Sequence, residues 1–149
     1  MSQSKVLEIL LIEDNECDVE LAKIAFERCD GDCNINVAYD GVEGVRYLKK
    51  EGEFKDVTKP SIILLDLNMP KMSGNSVLEF LRNDEALRSI PVIVFSTSES
   101  NSDIIESYIN NASCYIVKPF IISDYISIAN QIIAHWLESA SLPKTIQAK

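Results

Sequence analysis

The chain has 149 residues, 46% of them hydrophobic and 25% charged, and carries a formal net charge of −9. That is enough for one domain with a substantial core, in the composition of an ordinary soluble globular protein. The acidic balance argues against broad nucleic-acid binding, which needs clustered Lys and Arg, and the short apolar runs without a charged leader argue against a membrane or secretory role.

In chain order, a short apolar run at Ile9 to Ile12 precedes a segment of helical period from Cys17 to Cys29. A second run, Ile35 to Tyr39, ends in the turn pair Asp40-Gly41 and leads to a helix over Val42 to Lys50. The third, Ile62 to Leu65, is followed by Pro70 and Gly74 and then by a helix from Asn75 to Arg82. Val92 to Phe95 leads through the capping stretch Ser100-Asn101-Ser102 to a helix over Asp103 to Asn110. Tyr115 to Val117 leads to a last helix over Ile122 to Leu137. The runs are short and most are rich in Val, Ile or Leu, as strands covered on both faces should be. Five β-α units in succession imply a doubly wound α/β fold: a five-stranded parallel sheet with five helices on its two faces, joined by right-handed crossovers. No repeat of fixed sequence period is present. One domain is expected over residues 1–149, with a core from about 6 to 137 and a short polar tail at 138–149.

Ligands of such folds bind beyond the carboxyl ends of the strands, near the point where strand order reverses. The residues there are Glu13-Asp14 after the first run, Asp66 after the third, Ser96 after the fourth and Lys118-Pro119 after the fifth. Carboxylates brought together repel, and need either a bound cation or raised pKa values. Mg²⁺ answers that need, since it prefers carboxylate, carbonyl and water oxygens. Lys118 adds a compact positive charge and Ser96 a hydroxyl, so the edge can receive three phosphoryl oxygens. Taken singly, these residues say little. Asp14 serves equally well as the cap of the first helix, Ser96 as an ordinary residue after a strand, and Lys118 as a surface charge in a constrained Lys-Pro turn for which a cis peptide is one option. Their joint occurrence at four strand ends carries the inference.

The segments L-L-I-E-D-N at 10–15, L-L-D-L-N-M-P at 64–70, P-V-I-V-F-S-T at 91–97 and Y-I-V-K-P-F at 115–120 resemble the receiver domains of two-component response regulators. The resemblance runs in order over residues 8 to about 137, and the fold it implies is flavodoxin-like, of the receiver type. It implies that Asp66 is the phosphoacceptor, and that Glu13, Asp14, Asp66 and the backbone carbonyl of Asn68 surround Mg²⁺. Lys118 would pair with the phosphoryl group, Ser96 would be the switch hydroxyl, and Tyr115 the aromatic that turns with it. The partner implied is a sensor histidine kinase, and the domain would be a phosphoacceptor rather than an enzyme. The longer connection Glu53-Phe54-Lys55-Asp56-Val57-Thr58-Lys59, the Thr97-Ser98 pair and the short tail are similar to the small regulators that serve cyanobacterial phytochromes. Two departures stand out: Glu13 replaces the usual Asp, and Thr97 replaces a small residue, where its β-branched side chain would narrow the approach to Asp66.

Ile122, Tyr125, Ile126, Ala129, Ile133 and Trp136 form the core stripe expected of the last helix. Ile121, Ile128 and Ile132 widen the apolar arc beyond the ~100° that core packing needs, so a homodimer or partner interface is expected on the fourth helix, fifth strand and fifth helix, through Ile121, Ile128, Ile132, Tyr115 and Tyr125. Cys17, Cys29, Cys33 and Cys114 form no C-x-x-C pair and His135 is the single histidine, so no zinc grouping exists. The thiols are read as reduced packing residues of a cytoplasmic protein, and His135 as a surface or interface residue.

Three rivals use the same fold class. An aspartate-nucleophile phosphohydrolase needs a second acid two residues after the nucleophile, where this chain has Asn68, and a cap domain that the length does not supply. A phosphorylation-independent pseudo-receiver would be signalled by loss of Asp66 or Lys118, and both are present. A flavodoxin-like cofactor binder needs a Ser/Thr/Gly cradle after the first strand, which is lacking.

Overall fold

The structure is a computed structural model that describes residues 6–28 and 32–139, the last three by backbone alone. The strands are β1 (Leu7–Ile12), β2 (Cys33–Ala38), β3 (Ile62–Leu65), β4 (Val92–Ser96) and β5 (Cys114–Val117). The helices are α1 (Glu16–Glu27), α2 (Gly41–Leu48), α3 (Gly74–Arg82), α4 (Asn101–Ile109) and α5 (Ile122–Ile133). α5 continues into a wider, π-type turn over Ala134–Ser139, and a single 3-10 turn at Gly52–Phe54 occupies the long connection before β3.

All four strand pairings are parallel, in the order β2-β1-β3-β4-β5. The chain steps from β1 outward to β2, then returns past β1 to β3. The reversal therefore lies between β1 and β3, and their carboxyl ends open the crevice that a ligand can use.

Strand alternation splits the core in two. Leu10, Ile12, Ile63, Leu65 and Val94 face α2 and α3, where they meet Tyr47, Leu48, Val77, Leu78 and Leu81. Ile9, Leu11, Ile62, Leu64, Ile93 and Phe95 face α1 and α5, where they meet Val19, Ala25, Phe26, Tyr125, Ala129 and Ile133. β3 is buried at every position, so its sequence, IILL, carries no polar residue until Asp66. β2 is an edge strand, and its alternation of half-buried and exposed residues (CNINVA) follows from that place.

Side-chain caps start four helices where the strands hand over: Asn15 accepts from the Asp18 N–H, Asp40 from Glu43, Ser73 from Ser76 and Ser100 from Asp103. Asn15 and not Asp14 caps α1, which leaves the Asp14 carboxylate unspent on the helix. Gly74 begins α3 hard against the third strand end. A Cβ there would lie 2.5 Å from the Asp66 carbonyl oxygen and 2.7 Å from Leu67 Cα.

The expected interface on α5 needs correction, and the option left open at Lys118-Pro119 is decided. Tyr125 and Ile132 are buried, so the apolar arc of α5 is wide because the helix packs on both the sheet and α1, and neither residue belongs to an exposed face. Of the residues named for that face, Ile121 is exposed while Ile128 and Tyr115 are half-buried. No cis peptide occurs among the described residues, so the turn at Lys118-Pro119 is made with a trans bond. Cys29 and most of the tail lie outside the described residues. No disulfide joins Cys17, Cys33 and Cys114.

Because the clash at position 74 is with backbone, which cannot swing away, Gly74→Ala is expected to cost about 1–3 kcal/mol. A lowered urea midpoint with an unchanged slope would check this.

Candidate functional site

Each candidate residue is placed by a backbone bond that extends a strand. The Asp66 N–H donates to the Ile12 carbonyl at 3.0 Å, setting the end of β3 beside that of β1. The Glu13 N–H donates to Ala38 at 3.0 Å and the Lys118 N–H to Ser96 at 2.8 Å. The side chains that follow converge on an open pocket of about 590 Å³, lined by Glu13, Asp14, Asp18, Asp66, Asn68, Thr97 and Lys118 among others.

Glu13, Asp66 and Lys118 are almost fully buried, and Asp14 is exposed at the mouth. Lys118 Nζ lies 2.5 Å from Glu13 Oε2, 2.9 Å from Asp18 Oδ2 and 3.6 Å from Asp66 Oδ1. One ammonium thus serves three carboxylates. Glu13 also accepts from the Asn15 N–H at 3.1 Å.

Burial governs the ionisation behaviour, and the neighbouring charges modify it. Burial raises the Glu13 pKa to about 7; the hydrogen bond from Lys118 opposes this and the Asp66 charge adds to it. Burial likewise raises Asp66, against the pull of Lys118 and a hydrogen bond from the Asn68 backbone. Burial on its own would lower Lys118, yet its bonds to Glu13 and Asp18 and the Asp66 charge lift it above the ordinary lysine value. Lys118 therefore stays charged, and the carboxylates carry the adjustment.

Oxygen atoms of Glu13, Asp14 and Asp66 lie within 4.8 Å of one another, one from each side chain. A hard divalent cation suits this all-oxygen set, in which several carboxylates face the single ammonium of Lys118. Asn68 sits on the same wall, next to its N–H bond to Asp66.

Ser96 and Tyr115 stand behind the pocket rather than in it. The buried Ser96 hydroxyl accepts from the Ser98 N–H at 3.2 Å. The Tyr115 hydroxyl donates to the Ser98 carbonyl at 2.8 Å, and Ser98 Oγ donates to Asp103 at 2.6 Å. Ser98 thus joins the end of β4, the ring of β5 and the first turn of α4.

Asp18 is the site residue that strand-end reasoning missed, because it lies on a helix. A signal for it exists: the third position of α1, one turn past β1, is where a helical side chain leans back toward the strand end.

Residues 9–130 match the family described as the response regulator receiver domain. The chain belongs to that family. Among relatives, the receiver is 34% identical over 135 residues to "Response regulator Rcp1" of Synechocystis sp., covering 91% of this chain and 92% of that protein. Among solved structures it is similar to the phosphorylated cyanobacterial phytochrome response regulator RcpA, at 38% identity and a TM-score of 0.88, covering 94% of this chain and 100% of the other. It also matches the Mn²⁺-bound form of Rcp1, at 33% identity and a TM-score of 0.84 over 93% of this chain and 99% of the other. The fold expected from the sequence is the one found, and the receiver is a component of two-component signalling close to phytochrome response regulators. No helix among the described residues is long and apolar enough to cross a membrane.

The raised carboxylates imply a pH dependence with a definite sign. Glu13 retains a proton in the native state that the unfolded chain has lost, so metal-free stability falls as pH rises from about 4.5 through about 7, and the raised Asp66 acts in the same direction. A divalent cation has to displace that proton, so added Mg²⁺ should raise the Tm more at about pH 8 than at about pH 6. Thermal melts at both pH values check the order.

Proposed function

We propose that this receiver is a phosphoacceptor switch in which Asp66 takes a phosphoryl group from a histidine kinase. The observation that carries the reading is the buried ammonium of Lys118, 3.6 Å from Asp66 Oδ1 and paired with Glu13, at the point where strand order reverses. A carboxylate held there is shielded from bulk water, faces a permanent cation and opens onto a pocket wide enough for a phosphoryl donor.

In the proposed step an Asp66 oxygen attacks phosphorus as the P–N bond to the donor imidazole breaks, with the electron pair leaving on nitrogen, giving an acyl phosphate. Mg²⁺, held by Glu13, Asp14, Asp66 and the Asn68 carbonyl, would supply charge neutralisation for the phosphoryl oxygens. Lys118 takes a second oxygen. Ser96 exchanges its Ser98 N–H for a third, which loosens the Ser98 segment to which Tyr115 is bonded. Thr97, on the pocket wall, narrows the approach. The domain acts as a signalling module rather than a catalyst of turnover on a separate substrate.

The likeness to RcpA and Rcp1 supports a phytochrome-type kinase as donor, and we read the protein as cytoplasmic with reduced thiols. Output through protein contact is supported by the exposed apolar side chains Ile105, Tyr108 and Ile109 on α4, with Phe120 and Ile121 beside β5. This patch replaces the buried Tyr125 and Ile132 as the homodimer face.

Incubation with acetyl phosphate and Mg²⁺, followed by intact-mass measurement, should show one phosphoryl adduct that disappears in Asp66→Asn and without divalent cation. An adduct retained by Asp66→Asn would refute the assignment, and steady release of phosphate without an adduct would favour a hydrolase. For the interface, Ile109→Lys should shift sedimentation from dimer to monomer, and an unchanged sedimentation coefficient would remove that face.

A further inference from the structure

Asp18 touches Lys118 but stands apart from the carboxylates that could hold a cation. The cluster of oxygens within 4.8 Å comprises Glu13, Asp14 and Asp66, and Asp18 is not part of it. Asp18 nevertheless accepts from Lys118 Nζ at 2.9 Å, a hydrogen-bond distance, while Asp66 Oδ1 waits at 3.6 Å. The ammonium sits between Glu13 and the helix acid, away from the third strand end.

That placement is built into the fold. The Asp18 N–H donates to the Asn15 side chain at 3.0 Å, and the Asn15 N–H donates to Glu13 at 3.1 Å. The next residue, Val19, is buried against the sheet. The Asp18 carboxylate is therefore carried on a pinned first turn, referenced to the same strand end as Glu13, with its side chain 26% exposed.

The ammonium has two conflicting tasks. It neutralises Glu13 and Asp66 when they are bare, but those oxygens are also the ones a divalent cation must bind. Each lysine donor spent on them has to be shared or withdrawn when the cation arrives. Asp18 offers Lys118 an acceptor outside the cluster. Without it, the acceptors left to Lys118 by the ion-pair geometry are both cation ligands.

We propose that Asp18 is a positioning residue that holds the Lys118 ammonium off Asp66 and so keeps the Asp66 carboxylate open to a divalent cation. This rests on the reading of the pocket as a cation and phosphoryl site, and concerns how that site is tuned.

Calorimetric titration of Mg²⁺ into wild type, Asp18→Asn, Lys118→Met and the double variant tests it. Asp18→Asn should weaken binding by about threefold or more, the scale of one partly exposed ion pair. In the Lys118→Met background the same substitution should change affinity by less than about 1.5-fold, because there is no ammonium left to hold. An equal loss in both backgrounds would mean that Asp18 acts only as one more negative charge, which overturns the proposal. So would an unchanged affinity in Asp18→Asn. If wild type itself binds no Mg²⁺, the metal-site reading falls and takes the inference with it; wild-type binding beside an unaltered Asp18→Asn defeats the inference alone. Should Lys118→Met fail to fold, Asp18→Glu decides: affinity restored toward wild type supports the tether, and affinity no better than Asp18→Asn overturns it. With acetyl phosphate, the Mg²⁺ needed for half-maximal labelling of Asp18→Asn should rise by the same factor, and an unchanged half-point would contradict the assignment.

Discussion

The ammonium of Lys118 is the point on which the site balances. A charge removed from water is tolerated only where partners replace its hydration, and here Glu13, Asp18 and Asp66 do so from three different elements. The arrangement is lopsided: one cation faces more acid than it can neutralise. Burial, with the neighbouring negative charge added to it, shifts Glu13 and Asp66 upward. A cluster in this state is receptive to a divalent cation and, with that cation, to an anionic phosphoryl group.

The remainder of the fold keeps that balance in register. β1 and β3 are buried on both faces, so their ends move little relative to one another, and the backbone bond from Asp66 to Ile12 joins them at the site. Gly74 lets α3 begin against the Asp66 backbone, where no side chain fits. Behind the pocket, Ser98 is bonded to Ser96, Tyr115 and Asp103. An oxygen that draws Ser96 forward therefore competes with a bond that orders the β4–α4 connection. The apolar side chains exposed on α4 lie just beyond that connection, so under the proposed function a charge event at Asp66 would have a short path to a surface.

Much of this was legible in the residues, for physical reasons. Buried parallel strands must be apolar throughout, so IILL at β3 announced itself and placed Asp66 at its end. The strand-end rule then gathered Glu13, Asp14 and Lys118 from distant positions. Local chemistry left one role open and misled at another place. Asp14 and Asn15 are both good caps, and only the backbone geometry assigns the role to Asn15. The apolar arc of α5 was read as surplus because periodicity reports how much of a helix is apolar and not how many neighbours cover it; α1 and the sheet together bury Tyr125 and Ile132. Asp18 escaped because ion-pair partners on a helix are set by the helix's docking angle, which no strand pattern encodes. The resemblance to receivers, carried by four short motifs, agreed with the family match over residues 9–130.

The central claim is that the buried lysine passes from carboxylates to a phosphoryl group on Asp66. A crystal structure of the chain with Mg²⁺ and beryllofluoride, a mimic of the acyl phosphate, tests it most directly. The account predicts beryllium bonded to an Asp66 oxygen, the cation among Glu13, Asp14, Asp66 and the Asn68 carbonyl, Lys118 Nζ within hydrogen-bond distance of a fluorine, and Ser96 Oγ withdrawn from the Ser98 N–H. Beryllofluoride bound elsewhere, or Lys118 still paired with Glu13 and Ser96 unmoved beside a loaded Asp66, would contradict it.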